Sequence, residues 1–185
     1  MDFVTKNARL SFPNLFTPSA YEGSDNLKYS ATLILDKTQD AEQIAQLRKI
    51  VSSLAKEKWS DKLPKKMFYS LQDGDDLERA EYEGKYILKA NNKKRVPVID
   101  KDMSALVAED ERPYAGCFVN AKVRFYAWSN GGSFNGVLCS LEAVQFAADG
   151  DSFGGGAGNA LDGFEDLGSA TADDVASEQE EEFLA

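Results

Sequence analysis

The chain has 185 residues, 21 of them Lys or Arg against 31 Asp or Glu, with two cysteines and no histidine. Without an imidazole there is no His-based triad, no unperturbed side-chain base near neutral pH and no Cys/His zinc knuckle, so several large enzyme classes drop out. The formal net charge of −10 is unevenly spread: residues 149–185 hold eleven acidic side chains and no basic one, while residues 1–148 carry 21 basic against 20 acidic. A near-neutral body joined to an acidic tail is a different object from an acidic globule.

The length suits one ordinary domain. The start, Met1-Asp2-Phe3, shows no basic region followed by an apolar stretch, and the longest apolar runs, such as Ala105 to Ala108, are about one helical turn. The expectation is a cytoplasmic protein with no membrane partner.

In chain order, strands are expected over 3–11 and 28–35, where Tyr29, Ala31, Leu33 and Leu35 alternate with Lys28, Ser30 and Thr32. A helix follows over 38–58. Thr38 is its expected cap, Asp40 and Glu42 suit the positive end of its dipole, and Ile44, Leu47, Val51 and Leu54 form the apolar stripe. Shorter strands are expected over 67–71, 85–90 and 96–100. The segment 117–146 reads as a hairpin. One arm places Cys117, Val119, Ala121, Val123, Phe125 and Ala127 on an apolar face, and Phe118, Asn120, Lys122, Arg124, Tyr126 and Trp128 on the other. Asn130, Gly131 and Gly132 form the expected turn, since glycine tolerates the positive φ that hairpins need.

A three-residue loop sets Val123 against Cys139, Phe125 against Val137, Tyr126 beside Gly136 and Trp128 beside Phe134, with Val137, Cys139, Leu141 and Ala143 completing the core face. A two-residue loop would force Glu142 inward. In the favoured register the cysteines lie roughly 20 Å apart, too far for a disulfide, whose Cα atoms come within about 7 Å. Two reduced, buried thiols are expected, as suits a cytosolic compartment.

The tail, residues 149–185, holds half of the chain's glycines and few apolar residues, too little to offset its ordering entropy. It reads as disordered. At its end Glu180, Glu181 and Glu182 meet Phe183 and Leu184, a peptide suited to a partner's basic-rimmed apolar pocket.

Lys122, Arg124, Tyr126 and Trp128 mix cations with aromatics on a strand's outer face. Unpaired nucleobases match such a surface, because each base stacked on an aromatic contributes about 1–3 kcal/mol while cations track the phosphates. Gly136 beside Tyr126 would leave room for a base. The competing reading has another element cover these aromatics. Lys93, Lys94 and Arg95, between two expected strands, are either a solvated turn or a loop that grips a nucleic-acid backbone. The acidic stretch Asp73, Asp75, Asp76, Glu78, Glu81 and Glu83 lacks EF-hand spacing and does not by itself supply converging metal ligands. No Walker loop, dinucleotide fingerprint or nucleophile elbow is present. No cofactor or metal is expected, and no catalytic residue.

Several segments, in order, resemble a bacteriophage family of single-stranded DNA-binding proteins: Ala8 to Phe16 (ARLSFPNLF), Lys28 to Leu33 (KYSATL), Gln72 to Asp75 (QDGD), Lys94 to Asp100 (KRVPVID), Tyr114 to Cys117 (YAGC), and Phe125-Tyr126-Ala127 before the Gly131-Gly132 turn. The resemblance spans nearly all of residues 5–148. It implies a mainly β fold, an oligonucleotide/oligosaccharide-binding (OB) barrel over 1–148 with one long helix inserted, coating single strands during phage replication, recombination or repair, with no enzyme activity. It assigns groove roles to Arg9, Lys94, Arg95, Lys122, Arg124 and Tyr126. Lys93, Trp128 and Phe134 rest on the loop and sheet arguments. The tail would modulate DNA binding and recruit replication or recombination proteins, and pairing into a homodimer stays open. The rival readings are an acidic DNA mimic or protein-interaction module, a metal-dependent nuclease and a strand-annealing recombination protein. Helix 38–58 and the acidic loop 73–83 carry no assigned role.

Overall fold

The computed structural model describes residues 1–20, 24–60, 62–131 and 133–153. The tail end, Glu180, Glu181, Glu182, Phe183 and Leu184, lies outside the described residues. The first strand, β1 (Asp2–Ser19), is twice as long as its alternation suggests, because an irregularity at Phe12 and Pro13 lets it bend and continue along the same partner. Then come β2 (Lys28–Asp36), the helix α1 (Ala41–Trp59), the short strands β3 (Phe68–Tyr69) and β4 (Leu71–Asp73), β5 (Lys85–Asn92), the short β6 (Val98–Ile99), and the long hairpin of β7 (Phe118–Ser129) and β8 (Asn135–Ala148).

Five strands close on themselves in the order β8-β7-β1-β2-β5, with β5 returning to β8. Four of the five contacts are antiparallel, but the closing pair, Asn91 opposite Ser140, is parallel, so the barrel is not antiparallel throughout. Inward-facing Leu10, Leu33, Leu88, Val123, Phe125 and Leu141 fill it. Burial of each such side chain contributes about 1.5–3 kcal/mol. The helix seals one side with Ile44, Leu47 and Ala55 buried, while Val51 and Leu54 are only partly covered. Thr38 is not its cap. Asp36 Oδ1 instead accepts the Thr38 and Gln39 N–H groups at 2.9 and 3.1 Å, and Asp40 Oδ2 accepts the Asp36 N–H at 2.8 Å, so two carboxylates build the turn into the helix. None of the helices described here is long and apolar enough to cross a membrane.

The hairpin departs from the expected register by two residues. Ser129 pairs with Asn135 and Phe125 with Cys139, leaving a five-residue connection. Asn130 organises it: its N–H donates to the Phe134 carbonyl at 3.1 Å, and its side-chain oxygen accepts the Phe134 N–H at 2.7 Å and the Ser133 hydroxyl at 2.9 Å. Because the shift is even, the same residues face inward. Farther down, Lys122 opposes Ala143 but Val123 opposes Leu141, so Glu142 is the extra residue of a bulge and stays out of the core. Beyond it the buried residues are Val144 and Phe146 rather than Ala143. Cys117 and Cys139 are free and buried, and the corrected register sets them even farther apart. Burial pushes both thiols upward.

Candidate nucleic-acid interface

Alternation along β7 turns Lys122, Arg124, Tyr126 and Trp128 outward, with Tyr126 41% and Trp128 44% exposed. Among the described residues no other element covers these rings. Trp128 packs on Phe134 with centroids 5.5 Å apart, and Phe134 in turn lies 5.8 Å from Phe68. Sequence reasoning missed Phe68, which reaches this end through a parallel pairing with β8. Gly136 lies between, opposite both Trp128 and Phe68. It therefore stands beside Trp128 rather than Tyr126, and its missing side chain admits no base: a Cβ there would fall 2.6 Å from the Phe68 carbonyl oxygen. The three rings form one partly exposed platform at the tip of the hairpin.

The cations take different surroundings. Lys122 is exposed. Arg124 donates through Nε to the Asp2 carboxylate at 2.8 Å, and that hydrogen bond holds the Asp2 carboxyl below its ordinary range. Lys93, Lys94 and Arg95 are exposed on the loop after β5. Asn92 ties the root of this loop to β8, donating to the Leu141 carbonyl at 2.9 Å and to the Ser140 hydroxyl at 3.3 Å, while its side-chain oxygen accepts the Lys94 N–H at 3.0 Å. Since Ser140 is also the partner of Arg124, the basic loop starts two strands from the β7 row, about 10 Å away.

Lys93, Lys94, Arg95, Lys122, Arg124, Tyr126, Trp128 and Phe134 thus share one side of the barrel. Arg9 does not join them. It pairs with Phe118 at the other end of β7, eight residues from Tyr126, roughly 26 Å along the strand. There its guanidinium donates to the Gly116 carbonyl at 3.1 Å and the Asp151 carbonyl at 2.9 Å, and lies 4.5 Å from the Phe153 ring centre. Residues 149–153 are held against the barrel by this arginine, by Phe153 N–H donating to Ala115 O at 3.0 Å and by Gly150 N–H donating to the Tyr114 hydroxyl at 3.2 Å.

In the acidic loop, Lys37 bridges Asp73 and Asp75, and both carboxyls are held below their ordinary range, chiefly by that hydrogen bond. Asp75 also accepts the Gly84 N–H at 2.7 Å. These carboxylates fasten the loop to the end of β2, a structural role that the sequence left unassigned.

A closed five-strand barrel with stacked aromatics on its outer face and a basic loop beside them has the architecture of the OB class, whose groove lies on such a face and between such loops. Within that class, the chain belongs to the phage family described as Enterobacter phage Enc34, ssDNA-binding protein, which it matches over residues 1–179. It is 39% identical over 194 residues to putative protein p50 of Acyrthosiphon pisum secondary endosymbiont phage 1, with both chains covered in full. Its fold is similar to that of the single-stranded DNA-binding protein of bacteriophage Enc34 solved in complex with ssDNA, at TM-score 0.71 and 24% identity over 83% of this chain and 89% of that one. It is also similar to gp2.5 of bacteriophage T7, a single-stranded DNA-binding protein, at TM-score 0.56 and 13% identity over 84% and 96% of the two chains.

Proposed function

We propose that this protein binds single-stranded DNA with little sequence preference, coating and protecting it during phage DNA replication, recombination or repair. The observation that carries the reading is the joint placement of the Trp128, Phe134 and Phe68 platform, Tyr126 and the cations of β7 and the 93–95 loop on one side of an OB barrel. Stacking tolerates any base and cations follow any backbone, so this chemistry favours binding without readout of sequence. It requires no covalent step, and the protein acts as a binder in the host cytoplasm. The acidic tail competes with phosphates for the groove, and its Phe183-Leu184 end recruits replication or recombination proteins.

The test is a fluorescence titration with oligo(dT) over a salt series, on the intact chain and on one ending at Phe153, which keeps the residues held by Arg9. Quenching is expected, with log affinity falling by about 0.7 per phosphate contact for each log unit of salt. Tighter binding by the shortened chain at low salt supports the competing tail, and equal or weaker binding removes it. Absence of binding by both chains would overturn the proposal.

A further inference from the structure

Phe12 has no role in the barrel. It is 62% exposed, and its backbone sits at φ +45°, between the pairs Ser11–Thr32 and Asn14–Ser30 where the register of β1 breaks. A bulky side chain is disfavoured in this left-handed region, which glycine occupies freely. The following Pro13 adds to the cost, since proline drives the preceding residue toward extended conformations. A ring held in water at an unfavourable backbone angle contributes nothing to the core, and such strain concentrates where a ligand is held.

Its surroundings supply the rest of a site. Successive strand partners Asn14, Ser30, Asn91, Ser140 and Arg124 form a polar line around the outside of the barrel. Their inward-facing neighbours Leu15, Ala31, Ala90, Cys139 and Phe125 are buried. Asn14, Asn26, Lys28, Ser30 and Asn91 line a depression beside this line. Lys89 is exposed on β5, opposite Thr32. From Arg124 to Asn14 the line takes four of the five steps around the closed ring, a path of about 19 Å over the curved surface, and one OB barrel covers roughly 4–16 nucleotides.

We infer that Phe12 is a second stacking platform for single-stranded DNA, receiving a base at the far end of a polar path that begins at the hairpin aromatics. The inference rests on the proposed function and extends it to a site on β1. The amides of Asn14 and Asn91 offer donors and acceptors to a base edge there, and Lys28 and Lys89 offer charge to the backbone.

The experiment compares Phe12→Gly and Phe12→Tyr with wild type, each as the full chain, for melting temperature, sedimentation and affinity for a long oligo(dT). Phe12→Gly is expected to melt at the wild-type temperature or above, because glycine relieves the backbone, yet to bind about 5- to 140-fold more weakly, the loss of one stacked base. Phe12→Tyr is expected to keep wild-type affinity. Wild-type affinity in Phe12→Gly overturns the inference, and so does a change in sedimentation without a change in affinity, which would assign the ring to a contact between copies. Trp128→Ala separates the two levels of argument. If it weakens binding while Phe12→Gly does not, only the inference about Phe12 fails; if wild type binds no oligonucleotide, the proposed function fails with it.

Discussion

The platform at the hairpin tip depends on a residue that is not aromatic. A Cβ added at Gly136 would meet the Phe68 carbonyl oxygen at 2.6 Å, the Phe68 Cβ at 3.2 Å and the Phe68 carbonyl carbon at 3.3 Å. Two of the three atoms belong to backbone, so the clash cannot be relieved by a rotamer change; β3 must move off β8, taking Phe68 with it. Overpacking of this kind costs about 1–3 kcal/mol. At about 2–4 °C per kcal/mol for a domain of this size, Gly136→Ala should melt roughly 2–12 °C below wild type. Circular dichroism melts measure this directly, and the emission of Trp128, read in a Trp59→Phe background, reports the same displacement. Affinity for oligo(dT) should fall along with stability, because the rings shift. An unchanged melting temperature with unchanged emission would refute the reasoning, since β3 would then not be seated on Gly136.

Three further outcomes follow from the charges. Replacing Lys93, Lys94 and Arg95 together by Ala should reduce the salt slope of oligo(dT) binding by about 2, at 0.7 per lost phosphate contact, while far-ultraviolet spectra stay unchanged. Asp2→Asn frees Arg124 from its carboxylate partner, so binding should tighten and become more salt-dependent; equal affinity and slope would show that Arg124 contacts no phosphate. The Asp73 and Asp75 carboxyls lie below their ordinary range, with Lys37 as the main cause. Their contribution to stability is therefore complete above the unfolded-state value near 3.8 and is lost as pH falls below it through the folded-state values. Lys37→Met should flatten the drop in melting temperature on acidification below that point, and an unaltered acid profile would count against the bridge.

The strands were legible where one face is buried and the period of two is unbroken. The row Lys122, Arg124, Tyr126, Trp128 is such a case, because its inward alternates Val123 and Phe125 are fully covered. Loop length was not legible from the same pattern: shifting the hairpin by two residues preserves every inward face, and the observed register is held by polar contacts at the turn, those of Asn130 and the Ser129 hydroxyl on Asn135. Phe68 was hidden because its pairing is nonlocal and its strand only two residues long. Phe12 was hidden because the irregularity that exposes it interrupts the alternation. Arg9 shows a further limit: the resemblance alone gave it a groove role, and a matching segment does not say which end of a long strand its neighbours occupy, which here are Phe118 and Phe153. Thr38 is not the cap because the helix begins later, at Ala41, and residues 36–40 form a turn held by the Asp36 and Asp40 carboxylates on the Thr38, Gln39 and Asp36 N–H groups.

The position of β1 also governs the protein's manufacture. Its first residues pair with β7, Thr5 against Ala121, and the Met1 ammonium donates to the Phe125 carbonyl at 2.7 Å. A ribosome must therefore deliver about two-thirds of the chain before this strand finds its second neighbour, and must finish β8 before β5 can close the ring. Until then one edge of β1 presents unpaired backbone groups to any other strand nearby. Closing so long a loop is slow, and the waiting chain is exposed to misassociation. During a burst of phage synthesis, when many copies are made side by side, the yield of native protein becomes a contest between completion of β7 and β8 and capture of that edge by a neighbour.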